Sequence, residues 1–187
     1  MSIIDDLLED AREHMDKSVE ATRAKFGSVR TGRASPALLD RITVDYYGAQ
    51  TPLKQLATVN APEARLLTIQ PYDKSSVRAI ERAIQESDLG LTPNNDGQII
   101  RLQVPELTEE RRKQLVKVVR NLAEEGKVAV RNIRRDTMHD LRELRDAGEA
   151  GSDDEHRAEE ALQRLTDEKV KELEALLKGK EEEILEV

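Results

Sequence analysis

Apolar residues recur at steps of three and four along residues 106–146, which is the spacing of one face of an α-helix. The segment contains no proline and one interior glycine, Gly126, so nothing in it forces a break. The stripe consists of Leu115, Val118, Leu122, Ala129, Ile133, Leu141 and Leu144. At about 1.5 Å per residue such a helix is roughly 60 Å long, and we expect it to pack against other long helices.

Two partner helices are predicted, one at each end of the chain. Residues 1–30 begin with Ser2 and Asp5, which predict a capping box, and the last helix begins at Ser152, where Ser152 and Glu155 predict another. The apolar face of the first helix is Ile4, Leu8, Ala11, Met15, Val19, Thr22, Phe26 and Val29. The apolar face of the last is Ala158, Leu162, Leu165, Leu173, Leu176 and Ile184.

Residues 31–105 lack this period and read as a separate unit. Alternating apolar residues predict strands at 41–47, 66–70 and 99–104, and Asp73 predicts the start of a helix that ends at Gly90. Residues 93–97 have the composition of a turn. We therefore predict an α+β fold: a long antiparallel three-helix bundle of residues 1–30 and 106–187, with a small inserted β/α/β domain of residues 31–105.

Two short connections join the insert to the bundle and predict a hinge. One is Arg30, Thr31 and Gly32, and the other is Val104 and Pro105. Gly32 is expected to end the first helix and to supply unusual backbone angles, whereas the ring of Pro105 limits its own φ. Bending is therefore expected near Arg30 to Gly32 and around Val104. The insert is therefore expected to move as an arm.

Composition excludes several classes of protein. With 36% charged and 2% aromatic residues, the 187-residue chain is unsuited to one large globular core. It has no cysteine, and no apolar run approaches the ~20 residues of a membrane span. The acidic start is unlike a secretory signal, so we expect a cytoplasmic protein without a membrane partner.

Charge is unevenly distributed along this acidic chain, whose net charge is -8. Residues 106–146 carry 11 basic and 9 acidic side chains, whereas residues 147–187 carry 6 and 14. Lys127, Arg131, Arg134 and Arg135 lie within nine residues with no acid among them. The three arginines share one helix face, which suits a phosphate backbone. The alternative is a solvated face whose arginines pair with Asp136 and Asp140.

Few other residues suggest chemistry. His14, His139 and His156 are isolated from other metal ligands, and the chain has no phosphate-binding glycine loop or nucleophile elbow. Tyr46, Tyr47 and Tyr72 are able to stack on bases, although tyrosines in strands are more often part of the sheet face or the core. We expect no enzymatic activity, no metal and no cofactor.

Five runs together resemble bacterial ribosome recycling factors. They are RTGRASP at 30–36, DYYG at 45–48, SDLGL at 87–91, LTEERR at 107–112 and VRNIRRD at 130–136. The resemblance covers the whole chain and implies an L-shaped, tRNA-like protein. It also implies binding to the ribosome after termination and, with elongation factor G and GTP hydrolysis on that partner, splitting of the subunits.

The resemblance also implies roles for single residues. Arg131 and Arg134, with Arg135 adjacent, would contact ribosomal RNA of the large subunit, and Lys127 is added to this site because it belongs to the same basic cluster. From the sequence itself, Arg30 and Arg33 either contact the ribosome or a partner, or only cap the first helix or pair with acids at the hinge, because arginines near a helix end also occur for electrostatic reasons alone. We expect a monomer. The alternative is a helical adaptor that binds protein partners through its long bundle; salt separates the two because only phosphate contacts weaken steeply with salt concentration.

Overall fold

The computed structural model describes residues 2–186, which divide into two compact units. Of the described residues, unit 1 comprises 2–30 and 110–186, and unit 2 comprises Thr31–Glu109. The helices are α1 (Ile3–Ser28), α2 (Leu53–Leu56), α3 (Val77–Glu86), α4 (Glu109–Asp146) and α5 (Ser152–Glu186). The strands are β1 (Thr43–Tyr46), β2 (Ala49–Pro52), β3 (Ala57–Glu63), β4 (Leu66–Pro71), β5 (Pro93–Asn95) and β6 (Ile100–Gln103). Pro36–Leu39 and Lys74–Ser76 are 3-10 helices.

Helix α1 begins as its sequence predicts. The Ser2 hydroxyl accepts the Asp5 amide hydrogen and the Asp5 carboxylate accepts that of Ser2, each at 3.2 Å, which confirms the capping box. The predicted face is buried at Ala11, Met15, Val19, Thr22 and Phe26. Gly32 does not end the helix, because α1 stops at Ser28 and the Val29 amide bonds back to the Phe26 carbonyl.

Helix α4 begins at Glu109, three residues later than predicted, and its buried stripe is also displaced. The buried residues are Leu115, Val119, Ala123, Gly126, Val130, Thr137 and Leu141. Val118, a predicted member, is 43% exposed. The stripe passes through Ala123 and Gly126 because small side chains let the neighbouring helices come close to α4.

Gly126 marks the place where the three long helices meet. A Cβ atom built on Gly126 would lie 2.5 Å from Oγ1 of Thr22 in α1 and 3.3 Å from a methyl carbon of Leu173 in α5. Both distances are shorter than ordinary van der Waals contact. The bundle therefore has room for a hydrogen atom, but not for a methyl group, at this position.

The predicted capping box of α5 is wrong. Glu155 is 4% exposed, and its carboxylate accepts from Arg145 Nη1 at 3.1 Å instead of bonding back to the helix start. A charged arginine at the end of α4 is a stronger partner than a backbone amide. The hydrogen bond with Asp146 and the charge of Glu155 raise the pKa of Arg145.

Lys169 is buried in the face that α5 turns toward α1. Its ammonium lies 2.6 Å from Asp16 of α1 and 3.1 Å from Glu172 of α5. Burial lowers the pKa of this group, but its hydrogen bonds and the two negative charges outweigh burial and leave the pKa raised. The ion pair thus connects α1 to α5.

Unit 2 has a four-stranded antiparallel sheet in the order β3-β4-β6-β5 and a separate β1-β2 hairpin. Its core is built from the buried faces of the strands and α3, including Val44, Leu67, Ile69, Ile80 and Leu102. The mixed α+β class with long helices is confirmed. Strands β2, β3 and β5 were not predicted.

Two predicted boundaries in unit 2 also differ from the structure. Helix α3 ends at Glu86 rather than Gly90, since the Ser87 amide bonds back to Ile84. Residues 93–95 form an edge strand instead of a turn, and the turn proper is organised by Asp96. Among the residues described, no helix has the length and apolar character needed to cross a membrane.

Candidate RNA-binding face

The four predicted basic residues of α4 differ in how they are engaged. Lys127 is the most buried, with a side chain 16% exposed and its ammonium 3.4 Å from Glu174 of α5. Arg131 is 48% exposed and lies 3.7 Å from Glu124, about two turns earlier on α4. Lys127 is thus tied to the bundle, whereas Arg131 makes only the loose surface pair that contributes little to stability.

Arg134 and Arg135 are less constrained by acids. Arg134 is half-buried and donates from Nη1 to the side-chain oxygen of Gln163 at 2.7 Å, a neutral partner that leaves its charge uncompensated. Arg135 is exposed and, within residues 2–186, makes neither a hydrogen bond nor an ion pair. The two arginines therefore provide positive charge that the fold does not neutralise.

The acids expected to pair with these arginines lie elsewhere. Asp136 and Asp140 line a groove between α1 and α4 that also contains His14. The alternative that they pair with the arginines is wrong, because within residues 2–186 neither Asp136 nor Asp140 forms an ion pair. Glu124 and Glu174 are the acids that approach the cluster.

The arginine face extends further along α4 than the sequence suggested. Arg134 and Arg135 line a shallow groove of about 370 Å³ together with Met138, His139 and Arg142. Arg142 pairs with Glu159 at 3.4 Å and His139 with Glu143 at 3.1 Å. Steps of three and four from Arg135 reach His139 and Arg142, so the helical period was the signal that would have found them.

The exposed guanidinium groups of this face are suited to binding an anion. Guanidinium groups donate to phosphate oxygens in planar, bidentate geometry, and weak surface pairs are easily exchanged for such contacts. Across the described part of the chain, no three histidine, cysteine, aspartate or glutamate residues are placed to hold a metal ion. The face is suited to contact with a nucleic-acid backbone.

The predicted hinge residues fall within or beside unit 2. Thr31 is 4% exposed, and Gly32 has φ +78, with a Cβ built there lying 2.9 Å from Leu107 Cγ. Val104 is anchored to the sheet by its core side chain and by the bond from its amide to the Arg65 carbonyl at 2.8 Å. Pro105 is exposed and lies outside any helix or strand.

Arg30 and Arg33 lie near the Gly32 connection. Both are exposed, and neither has a hydrogen-bond or ion-pair partner in the part of the chain described, residues 2–186. Neither caps α1, whose C-terminal cap is Val29. The sequence left open whether Arg30 and Arg33 cap the first helix, and in the structure neither of them does.

A long helical bundle with an inserted α+β domain and an arginine face defines a class of helical proteins whose surface is suited to anions. The sequence profile for "Ribosome recycling factor" matches residues 22–185. The chain belongs to the ribosome recycling factor family, whose members are translation factors. This confirms the resemblance of the five sequence runs.

Individual relatives match almost end to end. The chain is 57% identical to the ribosome-recycling factor of Rubrobacter xylanophilus over 180 residues, 96% of this chain and 97% of the relative. It is 52% identical to that of Bacillus subtilis over 182 residues, 97% of this chain and 98% of the relative.

Two solved structures have the same fold. A solution structure of ribosome recycling factor aligns over 100% of both chains with a TM-score of 0.76 and 40% identity. The second is the T. thermophilus ribosome recycling factor, described with E. coli elongation factor G bound to the E. coli post-termination complex. It covers 99% of this chain and 100% of the other, with a TM-score of 0.64 and 46% identity.

Proposed function

We propose that this protein binds the post-termination ribosome and, with elongation factor G and GTP hydrolysis on that partner, splits the subunits so that they can be reused. Family membership over nearly the whole chain supports the proposal, as does the relative described on the post-termination complex with elongation factor G. The protein acts in the cytoplasm as a monomer without a cofactor. It catalyses no bond cleavage, and the free energy comes from the GTP that its partner hydrolyses.

The proposed RNA contact is the face of Arg131, Arg134 and Arg135, with Lys127 beside it. The observation that carries this assignment is Arg135, an exposed guanidinium without a partner among residues 2–186. Phosphates of large-subunit ribosomal RNA would bind the Arg135 guanidinium first and would then displace Glu124 from its weak ion pair with Arg131. Lys127 would attract the RNA only by its positive charge and without a direct contact, because its ammonium is paired with Glu174.

Substitution of Arg135 tests the RNA contact with little risk to the fold. Arg135→Ala should leave the thermal unfolding curve unchanged and weaken ribosome binding about ten- to a hundredfold, which corresponds to one charge-assisted hydrogen bond of about 1.5–3 kcal/mol. Arg135→Lys should recover part of the affinity because it keeps the charge but not the planar fork.

Arg12→Ala is the matched control for this experiment. Arg12 is also exposed and without a partner among the described residues, but it lies in α1, in a groove with Ala161 and Leu165 of α5. This control should bind ribosomes normally. Equal affinity of the Arg135→Ala and unsubstituted proteins would remove the contact from the proposal and would favour an adaptor that binds proteins through its bundle.

The proposal also includes a hinge between the bundle domain, residues 1–30 and 106–187, and the inserted domain, residues 31–105. Rotation of the insert while the arginine face holds RNA would couple the partner's motion to the subunits. Bending would concentrate at Arg30, Thr31 and Gly32, because the ring of Pro105 limits the second connection and Val104 is fixed to the sheet. Arg33 would contact the ribosome or the partner.

A disulfide across the two connections tests the hinge, because the chain has no cysteine of its own. One cysteine would replace a residue of 30–32 and the other a residue of 104–106. The oxidised protein should bind ribosomes but not split them, and reduction should restore splitting. Full splitting by the fully oxidised protein would show that the insert acts as a fixed docking surface.

A further inference from the structure

One surface of unit 2 combines exposed tyrosine rings with cations that have no partner among residues 2–186. This surface is separate from the arginine face on α4. Tyr47 is 81% exposed and Tyr72 is 71% exposed. Tyr47 has φ +50 and the next residue, Gly48, has φ +83, so both central residues of the β1-β2 turn are in the left-handed region. Asparagine or glycine adopts these angles with less strain than tyrosine does. Folding alone therefore does not favour an exposed tyrosine here.

The rest of the hairpin region holds the Tyr47 ring in place. The Tyr46 ring packs edge-on against it, with centroids 4.6 Å apart and planes at 72°, and the Tyr47 hydroxyl lies 3.4 Å from the Ser75 hydroxyl. The Tyr72 hydroxyl accepts a hydrogen bond from Thr58 at 3.3 Å. Ser75 and Tyr72 belong to the segment that leads into α3. The rings are thus fixed while most of their surface faces solvent.

Three cations continue from this segment along the exposed side of α3. Lys74 lies in the 3-10 helix that precedes α3, and Arg78 and Arg82 follow in α3 at a four-residue step, which places these two about 6 Å apart. All three are exposed, and none has a hydrogen-bond or ion-pair partner within residues 2–186. They form a row of available positive charge.

Two acids of this segment, Asp73 and Glu81, hydrogen-bond to other groups, and Glu86, four residues after Arg82, forms no ion pair within residues 2–186. The Asp73 carboxylate accepts from the hydroxyl and amide of Ser75 and from the Tyr46 hydroxyl, and these bonds lower its pKa. The Glu81 carboxylate accepts from Asn95 of β5. Both carboxylates keep their charge, but within residues 2–186 neither forms an ion pair with the three cations of the row.

We propose that this tyrosine–arginine face, made of Tyr47, Tyr72, Lys74, Arg78 and Arg82, binds a single-stranded or looped segment of RNA. A base would stack on Tyr47, and consecutive phosphates would contact Lys74 in the 3-10 helix and Arg78 and Arg82 in α3. Rigid aromatic platforms beside a basic track are the usual means of holding unpaired RNA. An acidic protein would also meet the cations, but it would give no role to a tyrosine held in a strained turn. This second RNA site lies in the other unit from the α4 face and goes beyond the function proposed above.

The three tyrosines provide an intrinsic fluorescence signal for binding at this face. The chain has no tryptophan, and its tyrosines are Tyr46, Tyr47 and Tyr72, so the intrinsic emission comes from this region alone. The probe is a short oligouridylate, added to full-length protein whose α4 face is removed by Arg131→Ala, Arg134→Ala and Arg135→Ala. RNA should quench the tyrosine emission, and anisotropy of labelled oligouridylate should give the affinity.

Charge removal has a matched control within the chain. Arg78→Gln with Arg82→Gln should weaken binding about tenfold or more and reduce the slope of log affinity against log salt by about 1.4, which is 0.7 for each lost phosphate contact. Lys113→Gln with Lys117→Gln removes two exposed cations of α4 that have the same spacing and, in residues 2–186, no partner. This control should change neither the affinity nor the slope. Equal effects of the two pairs would overturn the proposal.

Tyr47→Asn separates binding from folding. Asparagine suits the turn, so thermal stability should be kept or increased, whereas the affinity should fall about tenfold through loss of a stacking platform. Absence of quenching, or unchanged affinity in Tyr47→Asn, would refute the RNA site. Competition by polyglutamate as effective as that by oligouridylate would also refute it and would indicate a surface for acidic proteins. None of these results would change the ribosome binding expected for Arg135→Ala, so failure of this proposal is distinguishable from failure of the proposed function.

Discussion

Replacement of Gly126 by alanine should destabilise the bundle, although alanine is the better helix former by about 1 kcal/mol. The new methyl group would lie 2.5 Å from the Thr22 hydroxyl oxygen, far inside van der Waals contact. Thr22 cannot easily give way because it is 4% exposed, stiff at its β-branch and hydrogen-bonded to the Ser18 carbonyl. Overpacking should cost about 2–3 kcal/mol, and the better helix propensity of alanine offsets about 1 kcal/mol of this cost. The free energy of unfolding should therefore fall by about 1–2 kcal/mol.

Urea unfolding followed by helical circular dichroism measures this loss, since the helical signal comes mainly from α1, α4 and α5 with 26, 38 and 35 residues. Gly179→Ala is the control, because a Cβ built at Gly179 meets no atom within 4 Å. It should stabilise the same bundle by about 1 kcal/mol. Thr22→Ala combined with Gly126→Ala should lose less than the sum of the single losses. If Gly126→Ala is as stabilising as Gly179→Ala, the close meeting of three helices at this glycine is wrong.

Two further predictions concern pH. The pKa of Lys169 is raised from its ordinary 10.5, so the stability that its charge contributes is complete below pH 10.5 and is lost as the pH rises through the folded pKa. Lys169→Met should therefore remove this loss of helical signal at alkaline pH. An unchanged loss in the variant would contradict the role of the ion pairs. The amides of Ile99 and Gln98 and the charge of Arg101 lower the pKa of Asp96 from 3.8 to about 2, so its contribution is present above 3.8 and is lost as the pH falls through about 2. Tyrosine emission, which reports on unit 2, should show this acid loss in the unsubstituted protein and not in Asp96→Asn.

The elements that the sequence predicts well are those whose signals are local. The capping box of Ser2 and Asp5 and the buried face of α1 follow from spacing within one helix. Strands β2, β3 and β5 were missed because they are short or polar, and β3 contains Pro62. Their pairing depends on distant segments rather than on their own residues.

The candidate site was predictable as a cluster but not as a set of interactions. Four basic residues without an intervening acid identify the α4 face, and the helical period would have added Arg142. The partners Gln163 and Glu174 come from α5, so no local pattern indicates them. The sequence also does not reveal that Glu155 turns to Arg145 or that Lys169 is buried, since both depend on which faces the long helices share.

Co-sedimentation of the protein with ribosomes across a range of salt concentrations tests the central proposal most directly. Contacts from Arg131, Arg134 and Arg135 to phosphate should make log affinity fall linearly with log salt, with a slope of about -2 to -3 from these three residues. Arg135→Ala should make the slope shallower by about 0.7–0.9. Binding that does not change with salt, or a slope that Arg135→Ala leaves unaltered, would contradict an RNA-phosphate contact at this face.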